Sequence, residues 1–337
     1  MRILAVDIGV GTQDVLVYEE GKEIENSYKL VLPSPTRMFS REVRKTKEDL
    51  VIYGDTMGGG PFSRAVIDHV KKYKVYMTED AARTIRDNLK IVKGYGIEII
   101  SDDEVENIRG KKLRISDFVG SIIGLLSSFG VDTSFDAIAI AVQDHGISPE
   151  GTTDRENRFS LIKKGLGKKI ESLSYLNHVP ENLSRMRSVL HSVRRWYDGD
   201  VLLMDTGPAA ILGSMEDERV RDKSSIIGVN VGNGHTIGMS ISERKVIGVF
   251  EHHTHLLDKK KLEYLIKRLY EGKITFKEVF EDGGHGAVSI GENVPEIISL
   301  TGPKREKMKG IGIFSAPGGD TMMTGPIGLI KAVLDRL

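Results

Sequence analysis

Two short glycine-rich motifs each occur twice in this chain, in the same order. Ala5-Val6-Asp7-Ile8-Gly9-Val10-Gly11 is answered by Gly228-Val229-Asn230-Val231-Gly232-Asn233-Gly234, and Gly54-Asp55-Thr56-Met57-x-x-Gly60-Pro61 by Gly319-Asp320-Thr321-Met322-x-x-Gly325-Pro326. An internal repeat of this kind predicts two halves built alike. With 337 residues, each half is long enough to bury its own core. A boundary near residue 220, inside the charged run 216–223, divides the chain into lobes 1–220 and 221–337. Residues 41–117 exceed a minimal lobe and read as an insertion or elaboration.

The hydrophobic pattern agrees with an α/β reading. Residues 2–8 read as a buried strand, 9–11 as a turn, 14–18 as the returning strand and 29–32 as a third. Residues 135–142 (FDAIAIAV) read as a strand buried on both faces, typical of a parallel or mixed sheet. Helices are expected over 61–72, with Pro61 at its first position, and over 78–92, 116–129, 183–196 and 208–215. The second half restarts with a strand at 226–231, a turn at 232–234, a hairpin at 237–242 and 246–250, an amphipathic helix at 258–271, a strand at 311–314 and a closing helix at 326–337.

Composition removes several function classes. The chain has no cysteine, so its residues cannot form a disulfide, a thiolate metal site or an iron–sulfur cluster. Lys+Arg and Asp+Glu balance to a formal net charge of +0, so bulk charge predicts neither nucleic acid nor an anionic membrane as partner. The basic clusters Lys163, Lys164, Lys168, Lys169 and Arg185, Arg187, Arg194, Arg195 read as solvated faces. The opening apolar run is too short for a signal peptide, and no stretch is long enough for a membrane span. A cytoplasmic location is expected, and a homodimer is compatible with it.

The candidate chemistry sits at the strand ends. In Asp7-Ile8-Gly9-Val10-Gly11-Thr12 the glycines allow a tight turn whose N–H groups can converge on one anion. Asp7 can hold Mg²⁺, and Thr12 adds a hydroxyl donor. The turn leads into a strand rather than a helix, so it is neither a Walker loop nor a dinucleotide fingerprint. Gly232, Asn233, Gly234, His235 and Thr236 open the second half in the same way, and two such loops facing each other would clamp a polyphosphate. Gly318, Gly319 and Asp320 follow a strand, where a flat base can lie against glycines near a helix N-terminus.

On these motifs the chain resembles the actin / sugar kinase / heat-shock ATPase superfamily. That resemblance implies a duplicated, two-lobed ribonuclease H-like fold, the actin-like ATPase fold, with mixed sheets flanked by helices and a central cleft. It also implies ATP, Mg²⁺, two phosphate loops and an adenosine loop. Asp7, Gly9, Gly11 and Thr12 stand at the first phosphate motif, Gly232 to Thr236 at the second, and Gly318 and Gly319 at the adenosine motif. The stretch Met204-Asp205-Thr206-Gly207-Pro208-Ala209-Ala210 is similar to the segment of hexokinase-like enzymes whose aspartate is the general base, so the resemblance makes Asp205 the candidate base. Asp205 equally suits a helix N-cap. The implied activity is ATP- and Mg²⁺-dependent phosphoryl transfer to a small hydroxyl-bearing metabolite; an ATPase or regulator without small substrate is the alternative. The chain departs from the pattern at Met204, where sugar kinases have a sugar-contacting Asn, and at Asn230, where chaperone- and actin-like members have an aspartate.

Histidines form a second constellation. Glu251-His252-His253-Thr254-His255 follows a hairpin strand, and in an extended segment His253 and His255 point the same way and could share a transition metal. This makes a metal-dependent hydrolase or binding protein a third reading. The resembling sugar kinases carry a Glu-x-x-His here that faces the sugar. Gln143, Asp144 and His145, followed by Gly146, are similar to their Q-x-H-G at a strand end near substrate. An exposed strand end and a polar loop are the plain alternatives. Gly283-Gly284-His285-Gly286 reads as a flexible loop with no assigned role. The chain is also similar to an archaeal family labelled as related to the pyruvate formate-lyase activating enzyme. That chemistry uses a three-cysteine iron–sulfur site, which these residues cannot supply.

Overall fold

A computed structural model describes residues 1–118, 120–149 and 151–337. The first lobe opens with β1 (Arg2–Ile8), β2 (Thr12–Glu19), β3 (Tyr28–Pro33) and α1 (Pro35–Lys45). An inserted unit follows: β4 (Leu50–Gly54), α2 (Pro61–Val70), β5 (Val75–Thr78), α3 (Glu79–Arg83), α4 (Leu89–Gly94), β6 (Glu98–Ile100) and β7 (Lys111–Ile115). The lobe resumes with α5 (Ser121–Ser128), β8 (Ala137–Val142), α6 (Asp154–Lys163), β9 (Ser174–Leu176), α7 (Ser184–Arg194), β10 (Asp200–Met204) and α8 (Thr206–Ser214). The second half holds β11 (Ser225–Val231), β12 (His235–Ser242), β13 (Lys245–His253), α9 (Lys259–Tyr270), α10 (Phe276–Glu281), β14 (Gly286–Ser289), β15 (Ile297–Thr301), β16 (Ile313–Phe314) and α11 (Thr324–Leu334).

The first sheet has the order β3-β2-β1-β8-β10-β9, and the second β14-β13-β12-β11-β15-β16. In each, three strands form an antiparallel meander and the first of them is continued by two parallel strands. The two sheets thus repeat one ribonuclease H-like core, which is the duplicated actin-like ATPase fold. The strand β8 (AIAIAV) is buried at every position because it lies between two parallel neighbours, with layers on both faces.

The helices α8 and α11 occupy equivalent places, each following the last parallel strand of its core, and they pack against each other between the sheets. Gly213 and Gly328 mark their closest approach. A Cβ on Gly213 would stand 2.8 Å from the Gly328 amide nitrogen, so neither position accommodates a side chain without moving a helix.

This equivalence corrects half of the repeat read from the sequence. Gly54 ends β4 in a third sheet and Asp55 follows it, so Gly54-Asp55-Thr56-Met57 is not the counterpart of Gly319-Asp320-Thr321-Met322. The segment at the equivalent place, between the last parallel strand and the paired helix, is Asp205-Thr206-Gly207-Pro208, which lacks the 3₁₀ turn Thr321–Met323 inserted between Asp320 and Thr324. Asp205 accepts the Gly207 amide at 3.2 Å, Asp320 accepts the Met322 amide at 2.8 Å, and Thr206-Gly207-Pro208 and Thr324-Gly325-Pro326 open the paired helices.

Residues within 41–117 build that third sheet. Its four parallel strands run in the order β6-β5-β4-β7 over a separate core of Leu50, Ile52, Phe62, Val66, Met77 and Ile115. The helix expected over 78–92 is replaced by β5, α3 and α4: Asn88 accepts the Lys90 amide at 3.0 Å and starts a new helix, while Val75 to Thr78 pair with β4 and β6. The helix expected over 116–129 is shorter, at Ser121–Ser128, and Val119 lies outside the described residues. Among the described residues, no helix is long and apolar enough to cross a membrane.

Candidate functional site

Both hairpin turns line one cavity of about 580 Å³, together with residues of the inserted unit. The turns are closed by the same bond: the Gly9 amide donates to the Thr12 carbonyl at 2.9 Å, and the Gly232 amide to the His235 carbonyl at 3.0 Å. None of Gly9, Gly11, Gly232 and Gly234 needs a left-handed backbone. What excludes a side chain is proximity instead. The Asn233 side chain lies over Gly11, and a Cβ on Gly232 would stand 2.7 Å from the His235 carbonyl oxygen.

Beside the first turn stand two acids. Asp7 on β1 lies directly opposite Asp14 on β2, and each keeps one buried carboxylate oxygen, Oδ1, without a hydrogen-bond partner. Burial pushes Asp14 up to about 7 against the opposing Thr12 hydrogen bond, with the Asp320 charge adding to the rise. Burial, then the negative charges of Asp14 and Asp205, hold Asp7 well above the usual carboxylate range. Two orphaned oxygens in an acidic pair are a donor set suited to a hard cation.

Arg158 of α6 is the hub of the site. Its Nη1 donates to Asp205 Oδ2 at 2.6 Å and to the Asp144 carbonyl at 2.8 Å; its Nη2 donates to Asp205 Oδ1 at 3.0 Å and Glu251 Oε1 at 3.1 Å; its Nε donates to Glu251 Oε2 at 2.9 Å. All five guanidinium donors are therefore engaged. Gln143 Nε2 adds a bond to Glu251 Oε1 at 2.8 Å. Burial alone would raise Glu251, but the charge of Arg158, reinforced by His285 and His235, holds it well below the usual range. Asp205 is thus both the N-cap of α8 and one arm of a buried ion-pair network.

Four histidines gather on the other side of Glu251. The rings of His235, His253 and His285 lie 4.8 to 5.0 Å apart between centroids, and His145 stands 5.7 Å from His285. Burial lowers His285 to about 3 against the opposing charge of Glu251, and burial lowers His253 and His145 each to about 4, with His235 and Arg158 respectively adding to the fall. These imidazoles are neutral at pH 7.

The other sequence candidates divide. Gly9, Thr12, Gly232, Asn233, Gly234, Gln143, Asp144 and His145 line the cavity with Asp7 and Asp205. The Asp144 side chain is taken up by the backbone, accepting the Gly146 and Met186 amides at 2.8 Å. The buried Thr236 hydroxyl pairs with Thr254 at 3.0 Å, and Thr254 in turn bonds the Gly232 carbonyl, so Thr236 braces the second turn. Gly318 and Gly319 line a separate cavity beside Ile24, and Asp320 caps the following turn. The expected extended run through His255 ends at His253, because residues Thr254–Leu256 form a 3₁₀ turn; His255 is exposed, with its ring centroid 5.6 Å from that of His253. Asp14, Arg158 and His285 are site residues that the motifs do not reveal, and His235, part of the second turn motif, is placed with the histidines rather than with the turn glycines. Asp14 was findable, since a hairpin turning at Gly9 to Gly11 pairs it with Asp7; Arg158 carries no local signal.

A family model described as "Putative pyruvate format-lyase activating enzyme (DUF1786)" matches residues 57–307. No curated protein matches the sequence. Similar solved structures include the ROK hexokinase from Thermus thermophilus, at 12% identity over 99% of this chain and 100% of that one, with a TM-score of 0.34. A ROK family glucokinase from Streptomyces griseus in complex with glucose and AMPPNP is 12% identical over 73% of this chain and 46% of that one (TM-score 0.29), so the chain spans about half that enzyme's length. A Bacteroides thetaiotaomicron protein with an actin-like ATPase fold is 9% identical over 99% of this chain and 95% of that one, with a TM-score of 0.38.

Proposed function

The chain belongs to the DUF1786 family, and from the geometry of its site we propose that it is an ATP- and Mg²⁺-dependent phosphotransferase acting on a small hydroxyl-bearing metabolite. The family's description names an activating enzyme whose iron–sulfur site needs three thiolates, and these 337 residues contain no cysteine. The observation that carries our reading is the acidic pair Asp7 and Asp14, with two buried oxygens lacking partners, on the one cavity that both hairpin turns line.

Asp7 and Asp14 would hold Mg²⁺, which neutralises phosphate charge when bound. The amides of the two turns bind and orient the polyphosphate, and Asn233 closes over Gly11 to keep them together. The acceptor hydroxyl lies beside Asp205. As its oxygen bonds to the γ-phosphorus and the bond to the bridging oxygen of ADP breaks, its proton passes to Asp205. Arg158 holds Asp205 in place through both of its carboxylate oxygens. One observation favours a second reading, an ATPase without acceptor: Arg158 already engages both Asp205 oxygens.

Nucleotide binding is tested by thermal shift with ATP, with and without Mg²⁺, because a ligand of the folded state raises its melting temperature. No response at millimolar ATP would end this reading. Replacing Gly9 by Ala is the matched control: its Cβ meets only the Thr12 carbonyl oxygen, at an ordinary 3.5 Å, so the fold tolerates it while a phosphate would not.

The acidic pair makes a separate prediction. Asp14 titrates at about 7 in the folded chain, above its unfolded value. Its contribution to stability is therefore full below about pH 4 and is lost as pH rises through about 7, by on the order of a few kcal/mol. Mg²⁺ replaces the proton above that range. Melting temperatures should rise more with Mg²⁺ at pH 8 than at pH 5, and Asp14→Asn should flatten both trends. An equal Mg²⁺ response at the two pH values would remove Asp14 from the cation site.

A further inference from the structure

We propose that His235, His253 and His285 hold a divalent transition-metal ion with a coordination position open to the cleft. The three residues are distant in sequence, yet their ligating nitrogens all lie within 4.8 Å of one another. Their ring centroids form a nearly equilateral triangle, with sides of 4.8, 4.8 and 5.0 Å. The backbone fixes the corners. His235 and His253 are direct partners across the β12–β13 ladder, and the His285 amide donates to the Glu251 carbonyl at 2.8 Å.

One further observation points to a ligand. His285 is 2% exposed, and its Nδ1 has no hydrogen-bond partner. Buried polar atoms are almost always paired, so an unpaired imidazole nitrogen in a cluster of three histidines calls for a ligand there. A tetrahedral ion with Zn–N bonds of ~2.0–2.1 Å spaces its ligands about 3.4 Å apart, which side-chain rotations moving atoms on the order of 1 Å would reach.

The donor set selects the metal class. Three imidazoles suit Zn²⁺, Co²⁺, Ni²⁺ or Fe²⁺ rather than the oxygen-seeking Mg²⁺ and Ca²⁺. Three protein ligands with no thiolate leave a position free, as in reactive rather than closed structural sites. His235 and His285 line the same cavity as Asp205 and Glu251, and the Glu251 carboxylate would offset the charge of a bound cation. His145, 5.7 Å from the His285 ring, stands where it can hydrogen-bond whatever fills the free position. The ligand taken there is an oxygen donor: water, or the hydroxyl or carboxylate of a small molecule in the cleft. The ion does not depend on nucleotide binding, and the two are read separately.

The test is titration of the chelator-treated full chain with Co²⁺, followed by visible absorption and elemental analysis. The expected result is one ion per chain, a visible Co²⁺ spectrum, and loss of that spectrum on adding Zn²⁺. His253→Ala and His285→Gln should each weaken binding by about 100-fold or more, since even outer contacts change metal affinity by 10–100-fold. His191→Ala, an exposed histidine of α7 outside the cluster, should leave it unchanged. Because His285 is buried, melting curves are recorded for each variant, and the half-buried His253 keeps the test valid if His285→Gln does not fold. Absence of Co²⁺ absorption, or a spectrum unaltered by His253→Ala, overturns the site, whatever the response to ATP.

Discussion

Asp205→Asn is expected to lower phosphoryl transfer to the acceptor by about 10²- to 10⁴-fold, the usual effect of removing a positioned acid or base, with nucleotide affinity nearly unchanged. Asparagine is the variant of choice because of what surrounds this carboxylate. Asp205 accepts the Gly207 amide at the start of α8 and both Nη groups of Arg158. Alanine would remove the cap and unpair part of a buried guanidinium, mixing a folding defect with a catalytic one. Asparagine keeps an acceptor for the cap and for one Arg158 nitrogen but cannot take the acceptor's proton. The assay screens sugars, polyols and small hydroxy acids for ATP-dependent phosphorylation, then compares ADP release with and without the responding acceptor. If ATP turns over equally with every acceptor and with none, in both proteins, the ATPase reading replaces the kinase reading.

Arg158→Met is expected to cost about 3–5 kcal/mol of folding stability, the usual consequence of removing one partner from a buried ion pair. The Glu251 side chain is 2% exposed and that of Asp205 is 15% exposed, so both carboxylates would be left under-compensated in a poorly solvated site. The loss should depend on pH. In the native chain Arg158 overcomes burial and holds Glu251 well below its ordinary range. Without Arg158, burial dominates and the folded-state pKa rises above the unfolded value, so the variant loses stability as pH rises through that raised value. Urea denaturation at pH 5 and pH 8 should therefore show the larger deficit at pH 8. Arg158→Lys restores one charge but not the five-donor fork and should recover only part of the loss. A deficit below about 1 kcal/mol at both pH values would mean that the network is surface-like in energy, and that water or another cation takes over the role of Arg158.

The parts of this protein legible in its sequence are those made by residues close together along the chain. The turns at Gly9 and Gly232 are closed by bonds reaching three residues, so each left a compact motif, and the duplication made the two motifs recognisable as a pair. The apolar run of β8 likewise recorded its own burial, because a strand covered on both faces must be apolar at successive positions. Tertiary structure decided the rest. Arg158 meets Asp205 and Glu251 from 47 and 93 positions away, and nothing local distinguishes a buried guanidinium from a solvated one. The histidine pair read at His253 and His255 assumed that the strand continued. The chain turns after His253, and the triangle is completed by His235 across the ladder and His285 from the loop before β14. The second repeat was mismatched for the same reason. Gly54-Asp55-Thr56-Met57 shares more letters with Gly319-Asp320-Thr321-Met322 than Asp205-Thr206-Gly207-Pro208 does, yet only the latter follows the same strand of the same core. Letters record local turn chemistry, which different sheets can share; position in the sheet order comes from long-range pairing, which no short motif contains.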